Sequence, residues 1–96
     1  MEQVIIFSVD VMRSLQKGSL RDENVFCRCC FYLDETQHFY FSSLNKLELS
    51  QSLGISSQTI QKSLNSLVER GFMIKVGKGV YTIDEGFAKK CWLEEE

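Results

Sequence analysis

The most regular pattern of apolar and polar residues runs over residues 44–83. In the middle of this stretch, apolar residues recur at i, i+4, i+7 and i+8. They are Ile60, Leu64, Leu67 and Val68. This spacing predicts one apolar face on an α-helix. Ser56 stands at a position suited to cap the start of that helix, Ile55 and Ile60 are spaced as a hydrophobic staple, and Gly71 ends the pattern.

A second helix is predicted just before this one. Asn45 and Glu48 have the spacing of a capping box with Asn as the cap residue, and Leu44 and Leu49 flank them as a staple. Gly54 supplies a residue that adopts the left-handed conformation in which helices often end. The pattern therefore predicts two helices joined by a tight turn over residues 45–70.

A hairpin is predicted next, over residues 72–83. Residues 72–76 and 80–83 are rich in β-branched and aromatic side chains, and Gly77, Lys78 and Gly79 join them. A pair of helices with a tight turn, followed by a hairpin, predicts a helix-turn-helix with a wing.

The residues before this unit predict three shorter elements. Residues 4–9 are apolar and β-branched, which fits either a strand or the start of a helix, and residues 10–16 fit a short helix. Ser19 is suited to cap a helix over residues 20–33, and residues 38–41 read as a strand that completes a small sheet with the wing. The inner face of the helix over residues 20–33 is predicted to carry Phe26, Cys29, Cys30 and Leu33.

After the wing, Asp84 is suited to cap a last helix over residues 84–93. Its apolar stripe would consist of Phe87, Ala88, Cys91 and Trp92, of which Trp92 fits either the core or a dimer interface. We therefore expect a single α+β domain over residues 1–96, with a three-helix core, a small antiparallel wing sheet and a C-terminal helix.

The charge of the chain is unevenly distributed. The 96 residues carry 11 Lys and Arg against 13 Asp and Glu, a net charge of −2. Residues 42–83 hold five of the cations and two of the acids, a net charge of +3, and the other residues hold six and eleven, a net charge of −5. The basic part of the chain coincides with the predicted helix-turn-helix and wing, which favours a role for this unit in binding nucleic acid.

The polar side of the second helix carries the candidate DNA-reading residues. At 100° per residue, the side opposite the apolar face presents Gln58, Lys62, Asn65 and Ser66. Asn and Gln side chains pair with adenine, and Lys contacts guanine or phosphate. Ser57 and Thr59 lie at the helix start, where hydroxyl and amide groups bind phosphate, and Lys75 and Lys78 lie on the wing. The alternative is that these residues form an ordinary solvated face.

Four cysteines raise a separate possibility. Cys27 and Cys30 are three residues apart, and Cys91 or His38 would be needed to complete a zinc site. The interpretation we favour is that Cys29, Cys30 and Cys91 fill the core as small apolar residues. The sequence therefore predicts no metal and no cofactor, with a cysteine-based redox or metal sensor as the alternative. It contains no phosphate-binding glycine loop and no catalytic motif, so we expect no enzyme activity.

Residues 44–83 also carry a resemblance to a known family. The segment is similar to winged-helix domains of the MarR-like kind, with Ser50 in place of the usual Ala. The residues at the matching positions are Leu49, Leu53, Gly54, Ile55, Ser56, Thr59, Ile60, Leu64, Leu67, Gly71, Phe72 and Ile74. The IIFSVDVMRSL segment, the helix over residues 21–33 and the GVYTID segment resemble the RepL-type replication initiators of plasmids and phage, which have Asn-Pro where this chain has Asp84-Glu85.

The resemblance implies a protein that binds duplex DNA as a transcriptional regulator or at a replication origin. A single recognition helix reads few base pairs, so we expect a homodimer on two half-sites. The N-terminal segment, the last helix or both would form its interface. A winged helix that binds a protein instead is the competing interpretation. The sequence contains neither a signal segment nor a membrane span, and we expect a cytoplasmic location.

Overall fold

The computed structural model describes residues 2–93, with side chains over residues 4–91. Within this range the chain forms an α+β arrangement of four helices and five strands. In chain order the elements are β1 (Glu2–Phe7), α1 (Val9–Gln16), α2 (Leu20–Cys30), β2 (His38–Tyr40), α3 (Ser43–Leu53), α4 (Ser57–Glu69), β3 (Ile74–Gly77), β4 (Val80–Thr82) and β5 (Ala88–Leu93).

The strands form two antiparallel sheets. The first contains β1 and β5, and the second has the strand order β2-β4-β3. In the second sheet β4 is central, so Phe39 pairs with Tyr81 on one side and Lys75 pairs with Tyr81 on the other. Strand β2 therefore joins the hairpin as the sequence predicted, although it ends at Tyr40, one residue early.

The core lies between α2, α3, α4 and the three-stranded sheet. Its members are almost fully withdrawn from solvent, and the largest are Tyr81, Phe26, Phe39, Leu15, Leu33, Leu49, Ile60, Leu64, Leu67, Met73, Ile83 and Val25. The predicted inner face of α2 is confirmed, because Phe26, Cys29 and Cys30 are fully buried, although the helix ends at Cys30 and Leu33 lies beyond it. The apolar period of α2 and α4 thus places both helices against one core.

The predicted helix over residues 84–93 is wrong. Asp84 instead opens a turn, in which its backbone oxygen accepts hydrogen bonds from Phe87 N at 2.9 Å and Ala88 N at 3.2 Å. The chain then runs as β5, paired with β1 so that Phe7 lies opposite Ala88 and Val4 lies opposite Cys91. Pairing with the N-terminal strand satisfies the backbone groups of both segments, a long-range gain that the local i, i+4 spacing does not reveal. The side chain of Trp92 lies outside the described residues.

Two local predictions are also settled by this structure. Residues 4–9 belong mainly to a strand, β1, and Ser8 caps the helix that follows, with its Oγ accepting from Val11 N. Asn45 does not cap α3. Ser42 does so, accepting from Asn45 N at 3.3 Å, while Asn45 Nδ2 donates to Tyr40 O at 2.6 Å. The helix start is therefore three residues earlier than predicted, because a Ser in the extended conformation was available there.

Candidate functional site

The turn between α3 and α4 determines where α4 begins. Gly54 ends α3 in the left-handed conformation, with φ of 68°. Ser50 Oγ donates to Ile55 O at 2.5 Å, which ties the turn back to α3. Ser56 Oγ then accepts from Thr59 N at 3.2 Å and caps α4, as the sequence predicted. These two hydrogen bonds and the left-handed conformation of Gly54 thus hold the first turn of α4 in a defined direction.

Helix α4 has three distinct sides. Its core side carries Ile60, Leu64 and Leu67, each fully buried, as predicted. The opposite side carries Gln58, Lys62 and Asn65, all exposed. This exposed side is called the α4 face below, and it holds three of the predicted DNA-reading residues.

The third side of α4 packs against α2, and it removes Ser66 from the α4 face. Ser66 Oγ donates to Asp22 Oδ2 at 2.7 Å, and Ser63, which is fully buried, accepts from Arg21 Nε at 2.8 Å. Ser66 is therefore half-buried against α2 and does not lie with Gln58, Lys62 and Asn65 on the fully exposed side. At 100° per residue Ser66 lies near the edge of the polar side, and its contact with α2 decides its direction.

The two predicted residues at the start of α4 are less exposed than Lys62 and Asn65 farther along the helix. Ser57 and Thr59 are half-buried. The Thr59 hydroxyl is engaged with Ser56 Oγ at 2.9 Å. These two residues still lie at the helix N-terminus, where backbone N–H groups attract anions.

Gln61, which was not among the predicted site residues, links α4 to the hairpin. Gln61 Nε2 donates to Asn65 Oδ1 at 3.0 Å and to the Tyr81 hydroxyl at 3.0 Å. The i, i+4 spacing of Gln61 and Asn65 was the available signal. The bond orients Asn65, and its carbonyl oxygen keeps a second lone pair for a base.

The hairpin formed by β3 and β4 carries two exposed lysines, Lys75 and Lys78. Lys75 lies opposite Tyr81, so the two side chains share one face of the sheet. Lys78 lies in the turn, which is tied to the second sheet because Phe41 N donates to Gly79 O at 2.7 Å. Tyr81 and Gln61 thus hold the lysine-bearing hairpin beside the α4 face.

Arg70, at the C-cap of α4, makes its contacts within the protein. Its guanidinium donates to Ser14 O at 3.1 Å, lies 3.8 Å from Asp22 Oδ2 and stacks on the Phe72 ring at 4.9 Å. These contacts join α1, α2 and the end of α4. Arg70 therefore positions α4.

The cysteines are in poor surroundings for thiolate chemistry. Cys29 and Cys30 are fully buried, which confirms their predicted place in the core, and burial raises the pKa of both thiols. Burial, and then the charge of Glu23, raise the pKa of the half-buried Cys27. Among the side chains described, over residues 4–91, no three of His, Cys, Asp or Glu are grouped so that they could hold a metal ion.

No family model, curated protein or solved structure matches this chain significantly. In the part of the chain that the structure describes, every helix is too short or too polar to cross a bilayer.

Proposed function

We propose that this domain is a winged helix that binds duplex DNA, with α4 in the major groove and the β3–β4 hairpin alongside. One observation carries the proposal. Gln58, Lys62 and Asn65 are exposed together on α4, which is itself held against the core, and Lys75 and Lys78 project from the adjacent hairpin. Amide side chains suited to base edges and cations suited to phosphate thus share one surface.

The mechanism separates positioning from reading. Ile60 and Leu64 bury one side of α4, while Arg70 and Ser66 tie the helix to α2 through Asp22. A helix held in this way enters a groove at a defined angle without first losing conformational freedom. Lys62, Lys75 and Lys78 then contact phosphates, while Gln58 and Asn65 reach base edges.

Three cations supply limited affinity, so the proposal includes a homodimer on two half-sites one helical turn apart. The role is transcriptional control or replication-origin recognition. The DNA sequence selected from a random pool would distinguish them, since locating the selected site beside a promoter or an origin identifies the role.

A salt titration of binding to duplex DNA tests the proposal. Each phosphate contact contributes about 0.9 to the slope of log affinity against log salt, so Lys62→Ala and Lys78→Ala should each flatten the slope by about one. Lys89→Ala is the matched control, because Lys89 is exposed on β5, outside the proposed surface, and its removal should leave the slope nearly unchanged. Absence of duplex binding at low salt by folded protein would reject the proposal.

A further inference from the structure

The outer side of α2 carries a second candidate surface. Four residues, at i, i+4, i+7 and i+11, follow one another along this side. They are Leu20, Asn24, Cys27 and Phe31. Leu20 is 69% exposed and Phe31, at the C-cap of the helix, is 47% exposed. The opposite side of α2 bears Asp22 and Cys29, which are buried, so the stripe lies on the solvent side of the helix, with only Cys27 partly packed against the core.

The end of α3 and the turn that follows it form a second wall beside this stripe. Two adjacent hollows lie between the walls, and both are lined by Asn24 and Leu53. The first is completed by Leu20, Arg21, Val25 and Ile55, and the second by Cys27, Arg28, Phe31 and Ser52. Together they form a groove, called the α2–α3 groove below. It follows α2 for about 17 Å, or three helical turns.

The charged residues that line the α2–α3 groove are both basic. Arg21 donates from Nε to Ser63 Oγ, but its charge is only partly neutralised, because Nε lies 3.9 Å from Asp22 Oδ1 and the side chain is 46% exposed. Arg28 has its guanidinium over the Phe31 ring, 5.8 Å from the ring centroid. Among the described residues, none that lines either hollow is Asp or Glu. A ligand with negative charge beside apolar side chains would complement both features.

We propose that the α2–α3 groove binds an acidic amphipathic helix of a partner protein. Apolar side chains one to two turns apart on that helix enter the two hollows, and carboxylates beside them pair with Arg28 and Arg21. A helix is the fitting occupant, because the two hollows follow one another along α2 for three helical turns. This goes beyond DNA binding and gives the domain a second attachment point.

The geometry also predicts that partner and DNA bind together. Asp22 faces α4 through its bond with Ser66, while Asn24 and Cys27 face the groove. Helix α2 therefore lies between the groove and the packed side of α4. A partner helix in the groove would leave Lys62 and Asn65 open to DNA.

A designed peptide tests the proposal on the full chain, without DNA. The probe is a lactam-bridged helix of about 12 residues, long enough for the groove, with Leu at i, i+4, i+7 and i+11 and Glu flanking them. Its control carries Lys in place of each Glu. We expect measurable binding of the Glu peptide by fluorescence anisotropy and at least tenfold weaker binding of the Lys peptide.

Protein variants locate the binding surface. Leu20→Glu should weaken the binding of the Glu peptide at least tenfold. Leu44→Glu is the matched control, because Leu44 is 63% exposed near the start of α3, as Leu20 is at the start of α2, and it lines neither hollow. Circular dichroism checks that both variants fold, and Arg28→Gln, which leaves the apolar contacts in place, should also weaken binding.

Three results would overturn the proposal. The first is equal binding of the Glu and Lys peptides. The second is an equal loss of affinity for the Glu peptide in Leu20→Glu and Leu44→Glu. The third is no binding of the Glu peptide at millimolar concentration. Duplex DNA binding by Leu20→Glu should equal that of the native chain. A failure of peptide binding can therefore be distinguished from a failure of DNA binding.

Discussion

The Ser66 hydroxyl donates a 2.7 Å hydrogen bond to Asp22 Oδ2, across 44 positions of sequence. Asp22 is 4% exposed, and Arg70 Nη1 lies 3.8 Å from the same oxygen. The other carboxylate oxygen is buried, and no hydrogen-bond partner is present for it among the described residues. Ser66 is thus a principal partner of a buried carboxylate, and it couples α2 to α4.

Ser66→Ala should lower the free energy of unfolding by about 1–2 kcal/mol, because Asp22 loses a donor in a site closed to water. Urea denaturation followed by circular dichroism measures this change. Ser52→Ala is the control, an exposed serine in α3 whose loss should change stability by less than about 0.5 kcal/mol. Equal midpoints for the two variants would show that the Ser66–Asp22 bond contributes no net stability.

Gln37 should be unusually costly to replace. Its Nε2 donates to Ile83 O at 3.0 Å and to Ala88 O at 2.8 Å, which ties the loop before β2 to the start of β5. Gln37→Ala leaves both carbonyls without this donor and should cost about 2 kcal/mol in urea denaturation. Gln51→Ala, at an exposed position of α3, should be nearly neutral. Stability unaffected by Gln37→Ala would mean that water replaces the amide.

Substitutions of Gly54 test the role of the turn that sets the direction of α4. Its φ is 68°, and a Cβ at this position would meet no atom within 4 Å, so only backbone strain opposes a side chain. Gly54→Ala should therefore cost about 1 kcal/mol, and Gly54→Asn should cost less, since Asn tolerates the left-handed region. Thermal unfolding ranks the variants. An Ala variant as stable as the Asn variant would contradict this account.

Asn65 and Lys62 should affect DNA binding in different ways. Asn65→Ala removes a base-reading amide, so it should reduce discrimination at one base pair by about 1–3 kcal/mol. Lys62→Ala removes a phosphate contact and should weaken binding to all DNA sequences by the same factor. Binding to a panel of single-base variants of the selected site separates the two effects. A uniform loss in Asn65→Ala would remove that residue from base reading.

Cys27 provides a test of the thiol-sensor alternative. Burial and the charge of Glu23 raise the pKa of its thiol, so little thiolate is present near neutral pH and iodoacetamide should react slowly. Glu23→Gln removes one of the two causes. It should lower the pKa and speed alkylation at about pH 8, where a larger fraction of the thiol then ionises.

The measurement uses the Cys91→Ser background, because Cys91 is the other half-buried cysteine. The alkylation rate of the folded Cys91→Ser protein is followed against pH, with and without Glu23→Gln. A rate near that of a free thiol, unchanged by Glu23→Gln, would restore the sensor interpretation.

Local chemistry in the sequence was enough to predict α4 and the place of the hairpin, although the first strand runs over Ile74–Gly77 and not over residues 72–76. Ser56 caps the helix, Gly54 ends the helix before it, and the apolar period identifies Ile60 and Leu64 as core. Each of these signals depends on residues a few positions apart, so both interacting residues can be identified in the sequence itself.

Only the tertiary structure decided the last element and the direction of Ser66. Residues 88–93 have a spacing that suits a short helix, and they form a strand because β1 lies opposite them, almost the whole chain away. Ser66 lies on the polar side of α4 in sequence, yet Asp22 of α2 draws it inward. Strand pairing and buried hydrogen bonds depend on partners that are distant in sequence, and those partners become adjacent only when the core forms.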